Sequence, residues 1–404
     1  MDTATSPAPG ATLADALSLL AAVTDELVVG TARDTHEAVA RRIHGVARLG
    51  LGDSAAPVES IHRGIAGAIY GGIGLALRGS SAGLDKLAAT RVGPRLEDGA
   101  RGRFVSSAVN GLIGDELLRE RPQMAIPMSV RHRGKDLPFK PAHLMLAYPE
   151  PTGRLVVFLH GLCENESYWN LHRERTGTTY GEALAESGWT PVYLRANTGL
   201  PIRENGVALA ALLRDVVAAW PVEVERIALI GHSMGGLIMR AGLNVLALEG
   251  QTDGGWADRV TDVVTLGSPH RGAPIAWGIG HGSRLLGLLP ETSAFGRILD
   301  KRSEGVRDLV DGYVDELPPL KEARYRLVAA TVTQSARHPV GSYVGDYLVR
   351  PHSAVGRDKR GAELFPDAET LHVGRTDHFG ILNHPEVLDA LKRWLADLPP
   401  SDRD

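Results

Sequence analysis

The spacing of apolar residues changes along the chain and divides it into regions. Between residues 11 and 120, apolar side chains recur at helical intervals, as at Leu13, Leu17, Leu20 and Val23. From residue 121 onward, short apolar runs typical of buried strands alternate with longer amphipathic segments. We therefore predict a disordered tail at 1–10, a helical N-terminal region at 11–120 and a second domain at 121–400.

The second domain is predicted to alternate between strands and helices. Buried strands are expected at residues 155–159, 191–194, 227–230, 260–266, 325–332 and 371–373. Helices are expected at residues 181–187, 207–220, 237–248 and 385–398. Two strands at 124–132 and 143–147, joined by a turn at 136–138, precede the alternation. This order predicts an α/β fold with a mostly parallel central sheet covered by helices on both faces.

Two segments depart from this pattern. Between residues 271 and 320 the alternation stops, and apolar side chains lie among glycines and charges, which we interpret as a helical cap insertion. Residues 65–77 are apolar but rich in glycine, which is unfavourable in an isolated helix. This segment is either a helix packed closely through Gly67 and Gly71, or a lid or membrane-interface segment.

Composition and charge describe an ordinary globular protein of 404 residues, 43% hydrophobic and 23% charged. The net charge of -4 gives no reason to expect a nucleic-acid partner. The single cysteine, Cys163, excludes an internal disulfide and suits a reducing compartment. We expect a small-molecule partner, and the oligomeric state stays open.

The chain gives no signal for export or for crossing a membrane. The N-terminus lacks a basic segment, and acidic residues interrupt the apolar run that follows it. The longest uncharged apolar stretch, residues 64–77, is shorter than the roughly 20 residues that a spanning helix needs. We expect a cytoplasmic protein, with peripheral contact to a membrane as an open alternative.

Cofactor motifs are missing from the sequence. It contains no H-E-x-x-H segment, no paired cysteines, no P-loop and no dinucleotide fingerprint. We therefore expect chemistry that needs neither a metal nor an organic cofactor.

The clearest chemical signal is a strand followed by a sharp glycine-rich turn and a helix. Residues 226–236 have the sequence R-I-A-L-I-G-H-S-M-G-G. A G-x-S-x-G turn in this context exposes a nucleophilic serine. The glycines leave room where the turn approaches its neighbours, so that Ser233 can be held in a strained conformation. We predict Ser233 as the nucleophile.

A serine hydroxyl needs a base, which in this chain order comes from a histidine in a late loop. His378, in T-D-H-F-G, follows the last predicted strand and precedes the last helix. His384 and His372 are the alternatives. His384 precedes a proline at a predicted helix start and His372 lies within a predicted strand, so we favour His378.

An acidic residue must orient the imidazole and stabilise its cation. Asp346, in G-D-Y-L-V, follows the strand predicted at 325–332 after a loop. Asp358, Asp367 and Asp377 are alternatives. Asp377 is adjacent in sequence to the histidine, and such neighbours seldom present their side chains to each other. We favour Asp346.

The oxyanion of a tetrahedral intermediate requires backbone N–H donors. The amide of Met234, next after the nucleophile, is one predicted donor. The loop after the strand at 155–159 reads H-G-L, and we predict the Leu162 amide as the second donor. His160, Gly161 and His232 flank these groups and are predicted to contact the substrate.

Together these motifs resemble a known family. F-L-H-G-L, G-H-S-M-G-G, L-G-S-P-H-R-G, G-D-Y-L-V and D-H-F-G-I-L-N-H-P-E-V are similar to segments of the α/β-hydrolase fold, in its bacterial lipase and esterase branch. Enzymes similar to the GPI inositol deacylases belong to the same group. The resemblance covers about residues 122–398 and does not extend to the N-terminal helical region.

The resemblance implies a serine carboxyl-ester hydrolase with Ser233, Asp346 and His378 as its triad. It also implies that Leu162 and Met234 supply the oxyanion amides, and that the insertion at 271–320 covers the pocket. Since acyl transfer uses the same acyl-enzyme, acyltransferase, thioesterase and amidase activities stay open. A binding protein without catalysis is the alternative from a different functional class.

Overall fold

The computed structural model describes residues 11–12, 14–15, 17–18, 82–83, 86, 90, 95–249, 255–273, 303–312, 319–320, 323–358 and 360–396. The predictions for the tail at 1–10 and for the glycine-rich segment at 65–77 lie outside these residues. So do most of the helical region predicted at 11–120 and most of the cap insertion predicted at 271–320.

The chain divides into two units, Met1–Gly102 with Ile279–Arg302 and Arg103–Gly278 with Ser303–Asp404. In the first unit, Thr12 and Arg95 form an isolated antiparallel bridge, and the Leu96 N–H donates to the Ala11 carbonyl at 2.9 Å. The second unit contains the sheet and every residue predicted to take part in chemistry.

An eight-stranded sheet with the order β2-β1-β4-β3-β5-β6-β7-β8 forms the centre of the second unit. Its strands are β1 Ser129–His132, β2 Lys135–Asp136, β3 Arg154–Leu159, β4 Thr190–Arg195, β5 Arg226–His232, β6 Val260–Leu266, β7 Arg324–Thr331 and β8 Glu369–Gly374. β1 pairs antiparallel with β2 and β4. The neighbouring strands β4, β3, β5, β6, β7 and β8 are all parallel to one another. This confirms the mostly parallel sheet.

The described helices are α1 Ala100–Glu120, α2 Pro141–Ala147, α3 Tyr180–Ala185, α4 Ile202–Ala219, α5 Met234–Glu249, α6 Glu304–Asp311, α7 Pro339–Val344, α8 Pro351–Ala354 and α9 Pro385–Trp394. The helices predicted between the strands of the second domain are confirmed as α3, α4, α5 and α9. Among the described residues, no helix is both long enough and apolar enough to cross a membrane.

The strand predicted at 143–147 is wrong, because these residues belong to helix α2. Pro141 occupies the start of the helix, where its fixed φ and missing N–H are tolerated. Leu144 is buried, while Leu146 is exposed, so one side of a helical turn contacts the core. The edge strand is instead β2, which overlaps the predicted turn at Asp136, and β1 begins only at Ser129.

The alternation of side chains along the central strands builds two cores, one on each face of the sheet. Leu155, Val157 and Leu159 pack in one core, which includes residues of α4 and α5. Val156 and Phe158 pack in the other, which includes residues of α3 and α9. Burial of each such side chain stabilises the fold by roughly 1.5–3 kcal/mol, so the sheet forms a rigid platform for the loops at its edges.

At the amino edge of the sheet, a buried carboxylate joins three parallel strands. Asp262 of β6 is fully buried and contacts Arg326 of β7. It also lies 3.1 Å from the guanidinium of Arg324 and 3.4 Å from that of Arg226 in β5. Because an uncompensated buried carboxylate is strongly unfavourable, these contacts fix the strands relative to one another at the edge opposite the predicted chemistry.

Candidate active site

Ser233 occupies the sharp turn between β5 and α5, as the sequence predicts for a nucleophile. Its φ of +51° lies in the left-handed region that non-glycine residues rarely adopt. The Ser233 N–H donates to the Leu266 carbonyl of β6 at 2.8 Å, which anchors the strained residue to the neighbouring strand. Backbone strain of this kind persists only where the surroundings hold it, and it concentrates at functional sites.

Close backbone contacts explain the glycines of this turn. A Cβ on Gly231 would lie 2.4 Å from the Gly236 nitrogen. A Cβ on Gly235 would lie 2.3 Å from the carbonyl oxygen of Leu159, at the end of β3. Since real Cβ atoms do not approach backbone this closely, the turn can be this tight only with glycine at both positions.

The predicted acid and base meet at the carboxyl edge of the sheet. His378 follows β8, and its Nδ1 lies 2.8 Å from Asp346 Oδ2, with both side chains buried. The other carboxylate oxygen of Asp346 accepts the N–H groups of Leu348 at 3.0 Å and Val349 at 2.7 Å. The His378 N–H also donates to the Asp346 carbonyl at 3.0 Å. Both residues are therefore fixed by backbone as well as by their side chains.

The surroundings of His378 favour its charged form. Burial alone lowers the pKa of an imidazole, but the nearby Asp346 carboxylate and its hydrogen bond outweigh burial, and Glu164 and Asp377 add to them. The pKa of His378 is therefore raised above its ordinary value of 6.5. This is the electrostatic arrangement that stabilises an imidazolium formed during catalysis.

The alternative histidines have structural partners. His384 is the N-cap of α9, where its Nδ1 accepts the Glu386 N–H at 3.3 Å. His372, within β8, has its Nε2 2.9 Å from Thr331 Oγ1. Neither contact involves a carboxylate that orients the ring.

The alternative acids that make contacts bind backbone amides. Asp358 Oδ1 accepts the N–H groups of Arg360 and Ala362, each at 2.8 Å. Asp377 Oδ1 accepts the Gly380 N–H at 2.7 Å. Asp346 is the candidate that the structure brings to His378.

The predicted nucleophile and base both lie against one short segment, Leu266 and Gly267. A Cβ on Gly267, next to the Leu266 carbonyl that holds Ser233, would lie 3.3 Å from His378 Cε1. The ring centroids of His232 and His378 are 4.8 Å apart. The carboxyl ends of β5, β6 and β8 thus converge on one place, where ligands bind in open α/β sheets.

The loop after β3 lies against the nucleophile and leaves one amide unpaired. A Cβ on Gly161 would lie 2.9 Å from Ser233 Cβ. The Gly161 N–H donates to Glu164 Oε2 at 2.8 Å, and the Cys163 N–H donates to a threonine hydroxyl at 3.1 Å. The Leu162 N–H has no hydrogen-bond partner within the described part of the chain. It is therefore available to an oxyanion.

The Met234 amide is available for a different reason. Met234 is the first residue of α5, and the first N–H groups of a helix have no intrahelical acceptor. The helix dipole adds partial positive charge at the same point. Both predicted oxyanion donors are thus N–H groups that can bind an anion beside Ser233.

His160 supports the loop from within the protein. Its Nε2 accepts the Ala196 N–H at 3.2 Å, and its Nδ1 lies 2.9 Å from the Gly161 carbonyl oxygen. Since a carbonyl only accepts, the proton is on Nδ1 and the ring is neutral. Burial lowers the pKa of His160, consistent with this state. His160 and His232 were both predicted to contact substrate, and the structure places both rings inside the protein.

Part of the sheet and its loops matches a family described as "Putative serine esterase (DUF676)", over residues 150–278. That region contains the loop after β3 and the turn at Ser233, while the acid and base follow it in the order of the α/β-hydrolase fold. Over these residues the chain is similar to that esterase family, and its mostly parallel sheet has the architecture of the α/β-hydrolase fold. The fold and the family match describe an esterase-like hydrolase.

Solved structures similar to this hydrolase include a lipase, a thioesterase and an esterase. The mature lipase BlEst2 of Bacillus licheniformis is 21% identical, with 61% of this chain and 94% of that chain covered and a TM-score of 0.43. The RedJ thioesterase of Streptomyces coelicolor is 18% identical, with 61% and 91% covered and a TM-score of 0.37. A Pyrococcus furiosus esterase is 17% identical, with 61% and 83% covered and a TM-score of 0.37. No curated protein matches the sequence.

Glu164 is a buried residue of the candidate site that the sequence did not predict. It is buried, and it contacts both the Gly161 amide and His232. The available signal was its spacing, because a glutamate three residues after an amide can bend back to accept its proton, as in a capping box. Its second contact joins residues far apart in sequence and has no local signature.

Helix α1 packs directly on the loop after β3. A Cβ on Gly111 would lie 2.4 Å from Cys163 Sγ and 2.8 Å from the Cys163 nitrogen. Cys163 itself has a φ of +62° and its Sγ lies 3.6 Å from the Ala108 carbonyl oxygen. The backbone position of the loop, and with it the Leu162 amide, therefore depends on a helix that the family resemblance does not cover.

Gly111→Ala is expected to lower both stability and activity of the hydrolase. The added methyl group must displace the backbone of Cys163, at about 1–3 kcal/mol of unfolding free energy, and the adjacent Leu162 amide moves with it. Thermal unfolding and ester hydrolysis measure the two effects. Gly99→Ala is the control, because a Cβ on Gly99 would have no neighbour within 4 Å. Equal behaviour of the two variants would contradict the packing role of Gly111.

Proposed function

We propose that the hydrolase is a serine carboxyl-ester hydrolase that works through an acyl-enzyme. The observation that carries the proposal is the 2.8 Å contact between Asp346 and His378 at the edge where Ser233 is held with a positive φ. A nucleophile, an oriented base and unpaired amides at one place are the parts that acyl transfer needs.

In the proposed reaction, Ser233 Oγ attacks the ester carbonyl carbon while His378 Nε2 takes the hydroxyl proton. The negative oxygen of the tetrahedral intermediate accepts the N–H groups of Leu162 and Met234. When the C–O bond breaks, His378 returns the proton to the leaving alcohol. Water activated by the same imidazole then attacks the acyl-enzyme and releases the carboxylic acid. The Asp346 carboxylate stabilises the imidazolium in both halves of the cycle.

A hydrophobic acyl group is the proposed substrate class. Phe379, next to the base, is 39% exposed, and its ring centroid lies 5.6 Å from that of His378. The centroid of the partly buried Tyr168 ring lies 6.1 Å from that of Phe379. An exposed aromatic side chain beside the proposed reacting groups provides apolar surface for an acyl chain.

The test is hydrolysis of p-nitrophenyl esters of increasing acyl length, with labelling by a fluorophosphonate as a check for an activated serine. We expect esters with acyl chains longer than acetate to be hydrolysed faster than the acetate ester. Phe379→Ala is expected to lower kcat/KM about 10-fold for the long-chain esters only. Val222→Ala is the matched control, since Val222 is 40% exposed and precedes β5 at the amino edge.

Each other outcome has a definite meaning. Labelling without hydrolysis of any ester would show an activated serine with a different reaction. The acyl donor would then be a thioester, or the acyl acceptor would be a molecule other than water. The absence of both labelling and hydrolysis would overturn the proposal and favour a binding protein on a hydrolase scaffold.

A further inference from the structure

A buried glutamate and a buried histidine connect three loops of the site. Glu164 Oε2 accepts the Gly161 N–H at 2.8 Å and lies 3.0 Å from His232 Nδ1. On the other side of its ring, His232 Nε2 lies 3.2 Å from the carbonyl oxygen of His378. The chain of contacts therefore runs from the loop after β3, through the turn before Ser233, to the loop that carries the base.

The hydrogen positions in this chain follow from its acceptors. The His378 carbonyl can only accept, so His232 Nε2 carries a proton. Burial by itself raises the pKa of the Glu164 carboxyl, but the contacts with His232, the Gly161 N–H and His160 together outweigh burial, and the pKa is lowered. Glu164 Oε2, which already accepts the Gly161 N–H, then also accepts a proton donated by His232 Nδ1.

We infer that Glu164 and His232 are positioning residues of the proposed serine hydrolase: they hold the Leu162 amide and the His378 imidazole in the geometry of the transition state. The inference rests on the proposed function. Glu164 fixes the residue before Leu162, and His232 fixes the backbone of the base. Neither side chain needs to touch the substrate. Their effect is therefore expected on kcat, with little effect on KM.

Glu164→Gln tests this with a nearly unchanged side-chain shape. One glutamate oxygen receives two donors, the Gly161 amide and the His232 ring. A glutamine oxygen can accept from both only if His232 keeps two protons without a compensating charge. With a neutral ring, either the link to residue 164 or the link to the His378 carbonyl is lost. A glutamine NH2 group at the same place would face the Gly161 N–H.

We expect Glu164→Gln to lower kcat and the rate of fluorophosphonate labelling about 10²-fold, as for a misplacement of about 1 Å. KM for a p-nitrophenyl ester is expected to change by less than about 3-fold, since ground-state contacts are retained. Glu166→Gln is the matched control. Glu166 lies two residues further along the same loop and pairs with Arg131 at 3.1 Å, away from the chain of contacts. It should keep wild-type kcat.

A double-mutant cycle with His232→Gln separates positioning from loss of structure. If Glu164 acts on the base through His232, its substitution has a smaller effect on kcat when His232 is already changed. Additive losses would overturn this coupling. If Glu164→Gln does not fold, His232→Gln alone provides the same comparison of kcat with KM, and an unchanged kcat in that variant would overturn the inference.

The two proposals fail in different ways. A wild-type protein that neither hydrolyses esters nor reacts with the fluorophosphonate refutes the serine-hydrolase function. A wild-type protein that reacts, beside a folded Glu164→Gln variant that reacts equally fast, refutes only the positioning role. Equal loss in Glu164→Gln and Glu166→Gln would also refute it, since it would show a general effect of disturbing the loop.

Discussion

Ser233→Ala should abolish ester hydrolysis, with a loss of about 10⁶-fold in kcat, the scale at which a serine hydrolase loses its nucleophile. Ser233 is the residue with φ of +51° between β5 and α5, beside the amides of Leu162 and Met234. Removing its hydroxyl leaves no atom to form the acyl-enzyme. Fluorophosphonate labelling should disappear as well, since the probe forms its bond to the same oxygen.

Stability provides the internal control for this variant. Alanine at position 233 keeps the backbone hydrogen bond to Leu266, so thermal unfolding should stay close to wild type. Labelling that persists in the variant would indicate another nucleophile. Cys163 is the nearby thiol in the loop after β3, but burial raises its pKa to about 12, which keeps it protonated and unreactive at neutral pH. Retained hydrolysis would therefore contradict the mechanism itself.

Patterns confined to a short stretch of sequence predicted most of the fold. The strands β3, β5, β6 and β7 are nearly continuous apolar runs, as expected where both faces of a sheet are covered. The turn at Ser233 was found because its glycines, the preceding strand and the following helix are contiguous. The chain order of nucleophile, acid and base then limited the later candidates to a few residues.

The prediction that failed and the contacts that were not predicted depend on residues distant in sequence. Residues 143–147 form a short apolar run with no decisive period, and it is tertiary packing of Leu144 that makes them a helix. The pairing of Glu164 with His232 spans 68 residues of sequence and follows from the parallel pairing of β3 with β5. The packing of Gly111 against Cys163 also joins residues distant in sequence. It could not be predicted, because a glycine in a helix does not by itself show which residue packs against it.

Substitution of Asp346 is the second change expected to have a large effect on catalysis. Asp346→Asn should lower kcat about 10⁴-fold, because the exchange reverses the direction of one hydrogen bond. Asp346 Oδ1 accepts the amides of Leu348 and Val349, so an asparagine would place its oxygen there and turn its NH2 group towards His378. The imidazole Nδ1 must then accept, and its proton moves to Nε2. That nitrogen can no longer take the proton of Ser233.

The pH dependence of the same variant has a definite sign. A general base must be neutral, so wild-type kcat/KM should fall as pH drops through the raised pKa of His378, which places the acid limb above pH 6.5. Asp346 is the main group that raises this pKa. In Asp346→Asn, the acid limb of the remaining activity should therefore shift to lower pH.

Asp377→Asn separates charge from orientation. Asp377 also raises the pKa of His378, but its oxygen binds the Gly380 amide, which an asparagine oxygen can still do. This variant should shift the acid limb slightly in the same direction and keep kcat. If instead Asp377→Asn lost activity and Asp346→Asn retained it, the acid would have been assigned to the wrong residue. The buried 2.8 Å contact argues for Asp346, because only a carboxylate held in that position fixes the tautomer the mechanism requires.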